Sequence, residues 1–299
     1  MANIIAIVWD FDKTLVDGYM QDPIFAHYGA DGEAFWREVD ELPQKYWEEQ
    51  RVKTNRDTIY LNHFINKARD GTFPGLNNAL LRELGGELKF YPGIPAIFEK
   101  TRRLIEDDPS YAEYSIRVEH YVVSTGMAEM IRGSAINGYV KGIWGCELIE
   151  HADGVIAEIG YSIDNTSKTR ALFEINKGAN VHSEINVNDR IAKEMRRVPF
   201  ENMIYIADGP SDVPAFSVVN QNGGATFAVY PAQNQRAFNQ VEQLRRDGRI
   251  HMYAEADYTE GTTAYMWIAG KAREIAERIR SGEKERLTNA RSGAPIHLK

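Results

Sequence analysis

The chain opens on a short apolar run, residues 4–9 (IIAIVW), that stops abruptly at Asp10. A nearly continuous apolar run of this length predicts a strand buried on both faces, as in a parallel sheet. Similar runs recur at 121–124 (YVVS), at 203–208 (MIYIAD) and, more weakly, at 226–230 (TFAVY). Each of these is followed by Gly or a polar residue and then by helical spacing, over 127–135, 213–219 and 237–245. Strands that alternate with helices predict βαβ units, hence an α/β fold with a Rossmann-like, three-layer parallel sheet core.

Residues 18–89 have a different texture. Phe35, Val39, Leu42 and Tyr46 fall at steps of four, three and four, and Leu61, Phe64, Ile65 and Ala68 repeat the helical period. Asn77 opens a further short helix that Gly85 and Gly86 close. The spacing of Phe35, Trp36, Tyr46, Trp47, Tyr60 and Phe64 assigns these aromatic rings to packing. Tyr91-Pro92-Gly93 is a turn signal, and a helix over 94–105 follows it. The expected organisation is a discontinuous α/β core, 1–17 and 90–285, interrupted by an inserted α-helical cap at 18–89. Residues 176–200 are polar and read as a loop insertion, and 286–299 as a disordered tail.

Composition narrows the function. Across 299 residues, 35 Lys and Arg stand against 43 Asp and Glu, a net charge of −8. That balance disfavours binding to a nucleic acid backbone, which is driven by clustered cations. A lone Cys146 excludes an intrachain disulfide and a cysteine-built zinc site, and suits a reducing compartment. The first residues show no basic region ahead of an apolar stretch, so no signal peptide is expected. No run approaches the ~18 apolar residues of a membrane span. The expectation is a cytoplasmic protein, without a membrane or nucleic-acid partner, that acts on a small molecule.

The residues at the strand ends carry the chemistry. In open α/β sheets ligands bind outside the carboxyl ends of the strands. The first strand ends Asp10-Phe11-Asp12-Lys13-Thr14, and alternation turns Asp10 and Asp12 to one side while Lys13 should point away. The strand at 203 ends Asp208-Gly209-Pro210-Ser211-Asp212, a second acidic pair. Two acidic clusters at one sheet edge need a cation between them, and all-oxygen ligation suits Mg²⁺. Ser124-Thr125-Gly126 offers hydroxyls and amides ahead of a helix, an expected anion site.

Three segments, VWDFDKTLV, HYVVSTG and IYIADGPSD, occur in order, each at a strand end. Together they resemble the motifs of the haloacid dehalogenase-like (HAD) hydrolase superfamily, in its phosphoserine-phosphatase-like subgroup with a helical C1 cap. The resemblance covers nearly the whole chain. It implies a Mg²⁺-dependent phosphatase acting on a small phosphorylated metabolite. Asp10 would be the nucleophile that forms an aspartyl-phosphate, and Asp12 the general acid and base. Asp10, the backbone carbonyl of Asp12, and Asp208 would hold the metal, with Asp212 a further ligand or an orienting group. Ser124 would bind the phosphoryl oxygens. A proton donor at Asp12 is what the dehalogenases lack, so dehalogenation is not expected. The family lysine is assigned to Lys168, with Lys177 and Lys193 as rivals, because Lys168 lies 40 residues ahead of Asp208. The cap would close over the site about hinges near Asp17-Gly18 and Pro92-Gly93, and Arg51, Arg56 and His63 are its candidate substrate contacts. Nine residues after the nucleophile, where phosphoserine phosphatases carry a Glu, this chain has Tyr19. The alternatives are a phosphotransferase or phosphomutase using the same intermediate and, more remotely, a non-catalytic phosphate-binding module.

Overall fold

A computed structural model describes residues 3–292. The first apolar run forms β1 (Ile4–Trp9), whose residues from Ile5 onward have no solvent exposure. Four helices follow: α1 (Asp22–Tyr28), α2 (Gly32–Gln50), α3 (Ile59–Arg69) and α4 (Asn78–Gly85). The chain continues through α5 (Ala96–Glu106), the single turn α6 (Pro109–Ala112), β2 (Arg117–Met127) and α7 (Ala128–Gly133). A hairpin, β3 (Gly142–Glu150) and β4 (Ile156–Tyr161), leads to α8 (Lys168–Lys177). Then come β5 (Met203–Ala207), α9 (Val213–Gln221), β6 (Ala225–Tyr230), α10 (Gln235–Arg246), β7 (Met252–Glu255) and α11 (Thr263–Ser292).

The seven strands form one sheet in the order β4-β3-β2-β1-β5-β6-β7, parallel except for β3 against β4. Helices α5 and α11 pack on each other and on the sheet, as do α8 and α9. This is the α/β, three-layer arrangement the apolar runs predict. Strand β1 lies at the centre, with Trp9 beside Val122 of β2 and Ile206 of β5. The chain runs outward from β1 in both directions, so the crevice at its carboxyl end is where a ligand belongs. Beneath that end, Trp9 Nε1 donates to His120 Nδ1 (3.1 Å) and Thr101 Oγ1 lies 3.0 Å from Nε2. Burial lowers the His120 pKa to about 3, so the ring is neutral, and no buried polar atom of this group lacks a partner.

The helical segment after β1 has its own core, in which Phe25, Phe35, Phe64 and Phe73 stack at centroid distances of 4.4–6.4 Å. The chain enters and leaves it side by side: Asp17 N donates to Lys89 O (2.9 Å) and Tyr91 N to Leu15 O (2.9 Å). A second attachment is made by α4 on α7. A Cβ at Gly85 would lie 2.1 Å from Met130 O, and one at Gly133 1.7 Å from Arg82 O, so only glycine permits this crossing. Backbone bonding extends it, since Ile156 N donates to Leu76 O (3.0 Å).

The sequence pattern misses β7 and misplaces the tail. Strand β7 has four residues at the sheet edge, too few for a period to register. The tail expected to be disordered from 286 is helical through Ser292, and 293–299 lie outside the described residues. Glu283 is buried there and pairs with Arg286 (2.7 Å), as Glu277 pairs with Arg280. Such i,i+3 pairs among good helix formers outweigh the single Gly282. Residues 178–192 are irregular as expected, and Arg197 fixes the insertion by a bidentate bond to Glu119 (2.6 and 2.7 Å).

Candidate active site

Strand β1 delivers Asp10 and Asp12, β2 delivers Ser124 and Thr125, and Asp208 follows β5 directly. Lys168 is the first residue of α8, and Asp212 closes the 3₁₀ turn before α9. These side chains, Asp212 excepted, line one cavity of about 380 Å³. Asp212 sits directly behind it, fully buried.

The lysine organises the acidic groups. Its Nζ lies 2.8 Å from Asp10 Oδ1 and 2.7 Å from Asp212 Oδ1, and the whole side chain is buried. Burial by itself would depress the Lys168 pKa, but Asp10 and Asp212 hold it above its ordinary value. Thr14 Oγ1 reaches the other Asp10 oxygen (3.2 Å). Asp212 accepts three bonds, from Lys168 and from Tyr205 (2.5 Å) on one oxygen and from Ser211 (2.9 Å) on the other. Lys177 donates instead to the carbonyls of Val187 and Asp189, and Lys193 pairs with Glu201 (3.5 Å). Neither rival reaches the cavity.

Each remaining carboxylate is held against its charge. Burial, then the neighbouring Asp10, pushes Asp12 up to about 8. Its Oδ1 accepts from Met20 N (2.8 Å). Burial and the proximity of Asp10 and Asp212 likewise raise Asp208. Asp10 is raised too, by burial first, against the opposing Lys168 charge. Ligand oxygens of Asp10, Asp208 and Asp212 all lie within 4.8 Å of one another, close enough to hold one metal ion. The donor set is hard oxygen only, and a cation would relieve the repulsion that raises these pKa values. The residues therefore fit a divalent metal such as Mg²⁺, with the bonds to Lys168, Tyr205 and Ser211 orienting Asp212. The Asp12 carboxylate is not one of the three.

Three features differ from expectation. Strand β2 continues to Met127, so Ser124 and Thr125 lie within the last residues of the strand and do not open a helix. Gly126 N donates to Ser124 Oγ (3.0 Å) and Met127 N to Met20 Sδ (3.0 Å), so these amides are engaged. Lys13 does not point away. At φ 55° it leaves the extended path, and its side chain lines the cavity and bonds to the Tyr19 hydroxyl. The segment between α2 and α3 supplies Asp57, whose Oδ2 accepts from Asn165 N (3.2 Å), and both residues line the cavity. Of the three expected cap contacts none lines it: His63 pairs with Glu38 (2.8 Å), and the Arg51 guanidinium rests over Trp47. Tyr60 of α3 nonetheless reaches the site from behind, donating to Thr125 O (2.8 Å). The buried Cys146 thiol lies against the same carbonyl, its pKa pushed up to about 11 by burial.

The fold is shared with HAD hydrolases. A HAD family hydrolase from Salmonella enterica serovar Typhi superposes with a TM-score of 0.50 at 16% identity, over 84% of this chain and 67% of that one. A substrate-bound phosphoserine phosphatase gives a TM-score of 0.49 at 15% identity, over 86% and 95%. In sequence, an uncharacterized protein of Borreliella burgdorferi is 36% identical over 286 residues, 90% of this chain and 96% of that protein, and the chain belongs to one family with it. No protein-family model matches. Among the described residues, no helix is long and apolar enough to cross a membrane.

Proposed function

We propose that the protein is a Mg²⁺-dependent phosphatase that cleaves a small phosphomonoester through an aspartyl-phosphate on Asp10. The observation that carries this reading is Lys168, buried and bonded at once to Asp10 and Asp212 at the rim of a polar cavity. A structural ion pair has no need of a cavity in front of it or of three further carboxylates converging there.

The roles follow from the contacts. Lys168 on one oxygen and Thr14 on the other fix the Asp10 carboxylate for attack on phosphorus. Asp12, protonated at neutral pH, gives its proton to the departing alkoxide and later takes one from the attacking water. Ser124 and Thr125 stand where phosphoryl oxygens would lie. Asp10, the Asp12 carbonyl and Asp208 would hold Mg²⁺, oriented by Asp212. When bound, that ion neutralises charge on the phosphoryl group.

Residues 18–89 act as the cap in this reading, and Asp57, Tyr19 and the Asn55–Asp164 bond (2.9 Å) bring it to the mouth of the site. The single, buried Cys146 supports a reducing, cytoplasmic setting.

The test is phosphate release from phenyl phosphate and a panel of small phosphomonoesters, with Mg²⁺ and with chelator. One phosphate per ester cleaved is expected, lost in chelator and in Asp10→Asn. Hydrolysis that survives Asp10→Asn unchanged would sink the mechanism, and ester conversion without free phosphate would point to a transferase.

A further inference from the structure

The sheet loses its regular pairing where the phosphoryl group would lie. Val123 of β2 stands opposite Trp144 of β3 and Met127 opposite Cys146, and the register shifts between them. On the other side, the pairing of β2 with β1 ends at Val122. Ser124, Thr125 and Gly126 therefore lie in an irregular stretch, as in a β-bulge, that the ladder does not hold in place. Side chains hold it instead. Thr125 O accepts from the Tyr60 hydroxyl of α3 (2.8 Å) and from Cys146 Sγ (3.3 Å).

The peptide that joins Thr125 to Gly126 is a rigid plane whose carbonyl and N–H point opposite ways. With the carbonyl drawn to Tyr60, the N–H of Gly126 turns back to Ser124 and donates to its Oγ (3.0 Å). An oxygen that accepts from behind keeps its own proton to give in front, and Ser124 lines the catalytic cavity. Tyr60 does not line it. Its side chain is buried, with the ring 5.7 Å from that of Trp36 and 6.2 Å from that of Phe64. Burial raises its pKa well above the ordinary value, so the phenol keeps the proton it donates.

We propose that Tyr60 is a positioning residue, its bond to Thr125 O fixing the Thr125–Gly126 peptide and thereby aiming the Ser124 hydroxyl at the bound phosphoryl group. This rests on the phosphomonoesterase reading above. Tyr60 acts from the helical segment without touching the substrate, so its effect falls on the phosphoryl group and is blind to the leaving group. The Cys146 thiol, a weak donor, does not replace the phenol.

Tyr60→Phe tests this, because it removes the hydroxyl and leaves the ring packed. It should lower kcat/KM about tenfold, by the same factor for phenyl phosphate and for every other ester cleaved in the panel. Binding of inorganic phosphate, measured with Mg²⁺ by titration calorimetry, should weaken about three- to tenfold. In Ser124→Ala the hydroxyl that Tyr60 aims is gone, so adding Tyr60→Phe should weaken phosphate binding by less than about twofold more. A residue that only supports the fold would give losses that multiply in the double variant. An unchanged kcat/KM or phosphate affinity in Tyr60→Phe, losses that multiply, or a loss that varies with the leaving group overturns the role of Tyr60 and leaves the phosphatase reading intact. A wild-type protein that releases phosphate from no ester in the panel overturns both.

Discussion

Replacing Lys168 by methionine keeps the length of the side chain and removes only the charge that Asp10 and Asp212 share. The lysine is buried, Asp212 is fully buried, and Asp10 is nearly so. Deleting one partner of a buried, hydrogen-bonded ion pair costs about 3–5 kcal/mol. For a chain of this length, with an unfolding entropy of about 2 cal/mol/K per residue, that is a fall in Tm of roughly 5–8 °C. The loss should depend on pH in a defined direction. With Lys168 gone, Asp10 rises further above its ordinary 3.8, so the folded chain holds a proton that the unfolded chain releases. Stability from that proton is complete below 3.8 and is lost as pH rises through the folded value. In chelator, Lys168→Met should therefore lose less stability relative to wild type at pH 5, where only the bond to Asp212 is forfeited, than at pH 8, where the loss is full. Excess Mg²⁺ should restore part of the difference at pH 8, since the cation takes over the neutralisation. Scanning calorimetry at the two pH values, with and without metal, reads all of this. An equal drop at pH 5 and pH 8, or none at pH 8, would refute the assignment of Lys168 as the group that compensates these carboxylates.

Two further outcomes are expected. Asp12, raised from 3.8 to about 8, makes the metal-free fold lose stability as pH rises from 5 to 8, and Asp12→Asn should flatten that decline by about one proton's worth; identical slopes in chemical denaturation would rule this out. Gly133→Ala forces a Cβ into Arg82 O and should cost about 1–3 kcal/mol by denaturant midpoint, whereas Gly138→Ala, which meets open space, should stay within about 0.5 kcal/mol; equal effects would mean that the α4–α7 crossing yields easily.

Much of the architecture is legible in the sequence because a strand buried on both faces leaves an uninterrupted apolar run, and β1, β2, β5 and β6 each do so. Asp10, Asp12 and Asp208 are readable for the same reason, since each marks where such a run stops. Lys13 is not, because alternation holds only for extended backbone and its φ is positive. Tyr205 reads as one more buried strand residue, and nothing local shows that its hydroxyl reaches Asp212 seven positions on. Asp57 lies in a polar stretch without period, and only the docking of the helical segment brings it beside Asn165. Residues placed by secondary structure can be found by pattern, while those placed by contact between distant segments cannot.

The paired crossings at Asp17–Lys89 and Leu15–Tyr91 and the glycine contact of α4 with α7 have a joint mechanical consequence. A body tied to its base by one ribbon can swing in any direction. A body also seated through backbone atoms at a second point can turn only about the line joining the two supports. Parts near that line barely travel, and parts far from it sweep the longest arc. Any movement of the helical segment relative to the sheet would therefore be about that axis, an opening and shutting without sliding. Asn55 and Asp57, whose bonds to Asp164 and Asn165 tie the far end to the core, are the contacts that such a movement would have to break.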